Sequence, residues 1–339
     1  MKKLKYILLI TYHCTLITIL YAQDPTFSQF FSSPLNVNPA LTANMNSDWR
    51  AISNYRSQWI SPQSAYTTGT ISYDSKILEN KNAYQSENNY LGLGGMLMFD
   101  RAMGGVAKST FASLNLSYNI KLVDGDTKHR LGIGFGTTYT SRSLDYSRVN
   151  FEDQYTGFGF NTNLPTGESA LSNMKPFFSA NTGLTYSISN DNSNLDIGVA
   201  AFHVNNPKQT FLKDENQHLA IRKVVHANFE TYLNDRTILS TNAIYQLQGK
   251  AQYLSAGGAL GYFLGDDKGP IVNAGLWYWK ENGFVSYLGL AINTFQFGLS
   301  YDITTSKLNE AARKPSSLEL SIIFRGSREG SKSIPCPWK

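Results

Sequence analysis

Apolar and polar positions alternate along much of this chain. Leu114, Leu116, Tyr118, Ile120 and Leu122 fall on one side, with Asn115, Ser117, Asn119 and Lys121 between them. Phe295, Phe297, Leu299, Tyr301 and Ile303 alternate with Gln296, Gly298, Ser300 and Asp302, and Leu318, Leu320, Ile322 and Phe324 flank Glu319 and Ser321. A period of 2 held over about nine residues is the pattern of a strand with one apolar face. From Trp49 onward about 14 such runs follow one another, an even number, which predicts an all-β chain closed into an antiparallel transmembrane β-barrel. The barrel is expected over residues 49–325, with a tail over 326–339.

The connections between runs differ in length. Val123–Asp126, Asn190–Asn192, Asn234–Asp235, Gly265–Gly269 and Asn293–Thr294 are short and turn-like. Ser141–Met174, Asn206–His218 and Thr304–Pro315 are long, although Gly249–Lys250 and Glu281–Asn282 on the same side are tight, and Lys76–Asn88 is long on the other. Short turns on one side and long loops on the other place the short side in the periplasm. Glycine fills one face of several runs, at Gly92 and Gly94, at Gly132, Gly134 and Gly136, and at Gly257 and Gly261. Inside a strand glycine is unfavourable unless something packs closely against it, as where a barrel curves or a plug lies on its wall.

Composition separates a membrane barrel from a soluble β-sandwich or propeller. Charged residues are only 16% of the chain, while it holds 20 tyrosines, 19 phenylalanines and 27 glycines. The charge gathers in the connections, and the non-apolar faces carry Ser, Thr, Asn, Gln and Gly, where a water-facing sheet would carry Lys and Glu. Aromatic residues at run ends (Trp49, Trp59, Tyr73, Trp277, Tyr278, Trp279 and Tyr301) suit an interfacial girdle.

The N-terminus sets the compartment. Lys2, Lys3 and Lys5 precede an apolar stretch from Tyr6 to Leu20, too short to span a bilayer comfortably. This predicts a signal peptide over residues 1–22, cut between Ala22 and Gln23, and export to the outer membrane. Cys14 does not make a lipidation site, because Tyr12 and His13 stand where small residues are needed. Residues 1–22 hold three lysines and no acid, so without them the formal charge of +5 becomes +2, with no basic cluster suited to nucleic acid. Cys336 is then the one cysteine, which excludes an intrachain disulfide and CxxC chemistry.

Catalytic equipment is not visible. His129, His203, His218 and His226 show no metal-ligand spacing, and neither a Gly-x-Ser-x-Gly elbow nor a phosphate loop occurs. No cofactor is expected. A barrel lipase using a wall serine beside His203 or His226 is one alternative, since a triad is not bound to sequence order. A passive porin is the other alternative to a partner-binding barrel.

Several ordered segments carry a resemblance: "DPTFSQF" with "SPLNVNPALTA", then "NYRSQW", "YTTGTISYDSKI", "LGLGGMLMFDRAMG", "LDIGVAAFHVNNPKQTF" and "FGLSYDITTSKL". Together they resemble the PorP/SprF outer-membrane proteins of the Bacteroidetes type IX secretion and gliding machinery. The resemblance runs from about Asp24 to the end of the chain. It departs where the family's NPA-x-x-G reads Asn38-Pro39-Ala40-Leu41-Thr42-Ala43, and where the usual Cys-Pro-Arg-Phe terminus reads Cys336-Pro337-Trp338-Lys339. The resemblance implies a non-enzymatic barrel that works with type IX components and serves a secreted adhesin through its C-terminal sorting domain.

Residues 23–48 form neither a strand nor a helix pattern. Irregular backbone cannot face lipid, so this segment is expected inside the lumen or over its periplasmic mouth. Phe27, Phe30 and Phe31 would then sit on the glycine-rich wall, with Asn38-Pro39 turning the chain toward Trp49. Trp59 joins the candidate lumen or partner-facing residues. In the loop from Ser141 to Met174, Phe151, Tyr155, Phe158 and Phe160 form either a lid over the mouth or a surface for the partner. Charges on the wall must face the lumen, because on the lipid side each would cost about 2–4 kcal/mol at mid-bilayer. Arg50 is therefore expected against Asp74, and Arg56 against Glu319 or Asp302 across the seam between first and last strands.

Overall fold

The computed structural model describes residues 23–60, 66–79, 89–145, 149–165, 174–209, 217–265, 269–280, 282–306 and 316–326. The expected signal peptide, and the tail beyond Gly326, lie outside the described residues. Among these, fourteen strands run in chain order: β1 (Trp49–Gln58), β2 (Tyr66–Glu79), β3 (Tyr90–Ala102), β4 (Ala107–Val123), β5 (Lys128–Leu144), β6 (Phe177–Ser189) and β7 (Ser193–Phe202). The second half comprises β8 (Arg222–Asn234), β9 (Thr237–Gln248), β10 (Ala251–Phe263), β11 (Ile271–Trp279), β12 (Gly283–Ile292), β13 (Phe295–Thr304) and β14 (Ser316–Gly326). Each pairs antiparallel with its chain neighbours, and β14 closes on β1 with Trp49 opposite Gly326 and Arg56 opposite Glu319. Closure leaves no edge strand, so every ladder N–H and C=O is available for pairing within the wall, as a hydrocarbon environment demands.

The period-2 pattern sorts the side chains between two environments. Ile71, Phe135, Phe178 and Leu288 point outward and are more than 60% exposed, as residues of an apolar belt facing lipid would be. Asn54, Thr70, Ser72, Asn115, Asn119, Asn181 and Ser321 point inward and are buried. Among the described residues no helix is long and apolar enough to cross a membrane.

Ile52 lies on the lumen side with Arg50, Asn54 and Arg56. Two assignments from the sequence need correction. Trp277 and Trp279 do not belong to the girdle. Tyr278 points outward, so strand alternation turns its two neighbours inward, and Trp277 is 1% exposed. The long outer loop starts later than Ser141, because β5 continues to Leu144.

Residues Asp24–Ser47 run through the barrel interior as a plug. Most of its side chains are buried, including Phe27, Phe30, Leu35, Asn38 and Ala40. It folds as three single turns, Phe30–Ser32, Pro34–Val37 and Pro39–Leu41. Pro34 and Pro39 each open a turn, where a fixed φ helps and a missing N–H is harmless. Prolines at 25, 34 and 39 also keep the segment from joining the sheet as another strand.

Candidate functional site

The plug is fastened to the wall by charged groups at three heights. At the seam, the Arg56 guanidinium donates from Nη1 to Glu319 Oε2 at 3.0 Å and from Nη2 to Asp302 Oδ2 at 2.9 Å. It also donates to Ser28 Oγ of the plug and lies 5.6 Å from the Trp279 ring. Two carboxylates facing one cation leave acceptor capacity unfilled, and the plug supplies the donors. Ser28 N reaches Glu319 Oε2 at 2.8 Å, Gln29 N reaches Oε1 at 3.0 Å, and Ser28 Oγ donates to Asp302 Oδ2 at 2.8 Å. The three charged side chains are at most 2% exposed. Gln29 extends the clasp, donating to Ser300 Oγ and Glu319 O and accepting from Ser321 Oγ.

Toward the short-turn end, Arg50 forks onto Asp74, Nε to Oδ1 at 3.1 Å and Nη2 to Oδ2 at 2.7 Å. The same Asp74 accepts the plug's Ala43 N at 2.8 Å, and Arg50 Nη2 contacts Leu41 O at 3.4 Å. At the long-loop end the third fastening uses Asp24. Its Oδ2 lies 2.6 Å from His203 Nε2 and 3.4 Å from Arg222 Nε, and Arg222 Nη2 donates to Asn36 O at 3.0 Å. The sequence reading passed over Asp24. It is the one charged residue between Ala22 and Ala43, and a lone buried charge requires an opposite one, so a signal was present.

His203 Nδ1 lies 2.7 Å from Ser179 Oγ. Asp24, His203 and Ser179 thus follow the bonding order of a nucleophile triad, the arrangement a barrel lipase would need. Ser179, however, is 1% exposed, and the cavity that reaches Asp24 and His203 does not include it. In this arrangement the three residues tie the plug to β6 and to the end of β7.

Between the fastenings the plug rests on glycine. A Cβ on Gly134 would run into the backbone of Pro39 and Ala40, one on Gly183 into Asn38 Oδ1, and one on Gly92 into Ala43 and Thr42. The glycine-rich wall therefore receives Asn38–Ala43, not Phe27, Phe30 and Phe31 as expected. A flat backbone turn can approach glycines that an aromatic ring would leave badly filled. Phe31 instead stands 4.8 Å from Trp277 and 5.6 Å from Tyr287, Phe30 joins Val37, Leu41, Phe202 and Ile244, and Phe27 packs on Met98 and Phe111. Gly257 and Gly261 make room for the wall's own Trp277 and Asn273.

Asn38 caps the last turn by accepting Ala40 N at 2.8 Å, and its Nδ2 reaches Leu184 O, Val199 O and His226 Nε2 at 3.0–3.2 Å. Gly134→Val should dislodge this turn. The expected result is a barrel that still migrates as a folded species on semi-native gels, with protease cleavage of the plug raised about tenfold or more.

Two candidates lie outside the plug. Trp59, at the outer end of β1, is half-buried with its ring 5.1 Å from Tyr66. In the β5–β6 loop, Tyr155 and Phe160 pair at 5.3 Å in a small hairpin, Thr156 N donating to Gly159 O and Asn161 N to Gln154 O. Phe151 is half-buried; Tyr155, Phe160 and the fully exposed Phe158 point to solvent and do not pack down as a lid. Cavities of about 40, 20 and 60 Å³ lie beside the plug, with room for one to a few waters each.

The family model described as type IX secretion system membrane protein PorP/SprF matches residues 19–324. No curated protein matches the chain. Among solved structures, the Pseudomonas putida toluene transporter TodX aligns with a TM-score of 0.47 and 9% identity over 86% of this chain and 93% of that one. A Pseudomonas aeruginosa FadL homologue aligns with a TM-score of 0.41 and 12% identity over 85% and 92%. The translocator domain of the Neisseria meningitidis autotransporter NalP gives 0.35 and 12% over 82% and 88%.

Proposed function

The chain belongs to the PorP/SprF family of type IX secretion membrane proteins, and on that premise we propose that it is a non-enzymatic outer-membrane barrel supporting the secretion or surface attachment of an exported adhesin. It does so by engaging the adhesin's C-terminal sorting domain, alongside other type IX components. The observation that carries this reading is the fastened plug. Three buried charge clusters and a glycine-lined seat hold Asp24–Ser47 across the lumen, an arrangement that suits a barrel used as a docking platform better than an open porin.

The exposed rings of Tyr155, Phe158 and Phe160 support an outward-facing docking surface. Solvated aromatic clusters of this kind are unfavourable on a loop with nothing to bind, and large aromatic side chains dominate binding hot spots. Deleting Asp153–Asn163 should leave the barrel heat-modifiable on gels and lower recovery of the sorting domain about tenfold or more. Unchanged recovery would remove the loop from the docking surface.

The lipase reading has one observation behind it, the Ser179–His203–Asp24 chain. Ser179→Ala discriminates, since it should leave partner recovery intact and would abolish any esterase activity that the purified barrel carries.

A further inference from the structure

We infer that the plug is threaded outward, so that the N-terminal end left after removal of residues 1–22 stands at the outer mouth and forms part of the surface an exported polypeptide meets. The anchors along the plug establish the direction. Asp24 N donates to Gln248 Oε1 at the end of β9, and its carboxylate meets His203 just beyond β7 and Arg222 at the start of β8. All three positions border the long-loop end of the barrel. Further along, Phe27 O accepts from Tyr253, near the outer end of β10, and Ser28 and Gln29 meet Glu319 in the outer half of β14. Ala43 then meets Asp74, Asn44 contacts Asp196, and Asp48 N donates to Gly326 O at the short-turn end. Sequence order and height descend together, apart from a local rise at Asn36 back toward Arg222.

The end left at Gln23 therefore emerges at the outer mouth. Returning to the periplasm would need a second pass through roughly 30 Å of lumen, where the three cavities found beside the plug among the described residues hold about 20–60 Å³ each. Gln23 is exposed, as this exit requires. An apolar segment held in the inner membrane could not be threaded this way, so its removal must come before the plug is seated. At the outer mouth the end lies beside the β7–β8 connection, whose Leu219 packs on Met174, at the end of the β5–β6 connection, and on Phe177 of β6. The identity of the partner rests on the function proposed above; the threading does not.

Cysteine labelling separates the two parts. In a Cys336→Ser background, Gly-Cys-Gly is inserted between Gln23 and Asp24, and intact cells are treated with a membrane-impermeant maleimide. Phe158→Cys marks the outer end and Gly125→Cys the periplasmic end. The insertion should label to within about twofold of Phe158→Cys, while Gly125→Cys labels only after the outer membrane is permeabilised. Labelling of the insertion only after permeabilisation would overturn the threading. Exchange of the two markers would overturn it too, together with the sidedness of the barrel. A polymer-bearing maleimide at the insertion should then lower binding of the organism's own purified adhesin sorting domains about tenfold. Unchanged binding overturns the docking part alone. A wild-type barrel that binds none of these domains overturns the proposed function, leaving the threading to the labelling result.

Discussion

Replacing Arg56 by methionine should lower the stability of the plugged barrel by about 3–5 kcal/mol. Glu319 and Asp302 are each 1% exposed, and the guanidinium is the cation they share. Without it, two carboxylates repel one another in a space that water enters poorly, and the donors from Ser28 and Gln29 cannot offset a full charge. Methionine keeps much of the side-chain volume, so a cavity contributes little to the loss. The measurement is the temperature at which the folded band disappears on semi-native gels, which should fall well below that of the wild type. Adding Asp302→Asn and Glu319→Gln removes both stranded charges and should restore most of the difference, a non-additivity expected of one coupled cluster. If the single and triple variants melt together, the charges at the seam do not act as a unit.

Excising Pro25–Asn44 should turn a closed barrel into a conducting one. The wall does not need the plug for its own hydrogen bonds, because every strand pairs with two neighbours and β1 meets β14 directly. Once the plug is gone, water fills the lumen, and Arg50, Asp74, Arg56 and Asp302 become solvated, so little desolvation penalty remains. In planar bilayers the intact protein should give no steady steps, and the excised variant should give steady ohmic steps whose size rises with salt concentration. Steady conductance from the intact protein would mean that the fastened plug does not close the lumen.

Most of the wall was legible because strand alternation is a local rule. Leu114 to Leu122 and Phe295 to Ile303 announce both the strand and the side facing lipid. From Arg50, Asp74, Arg56 and Glu319 the pairing of charges followed, since closure makes β1 and β14 neighbours and opposite charges at one height have few other partners. What the sequence hid was non-local. Trp277 and Trp279 resemble girdle residues until the outward turn of Tyr278 is known. The glycines at 92, 134 and 183 announced that something lies close to the wall, but not that the Asn38–Ala43 backbone does so while the phenylalanines go elsewhere. Nor could local pattern show that Asp24 is carried to the far end of the barrel, because His203, Arg222 and Gln248 lie some 180 to 220 residues away and only the closed sheet brings them together.

The most direct measurement is a pull-down of the tagged barrel from detergent-solubilised outer membrane. The expected result is co-purification of an exported adhesin that is lost when its C-terminal sorting domain is removed, and reduced when Asp153–Asn163 is deleted from the barrel. A barrel that purifies without any sorting domain, and that conducts steadily when reconstituted, would contradict the account and leave a porin in its place.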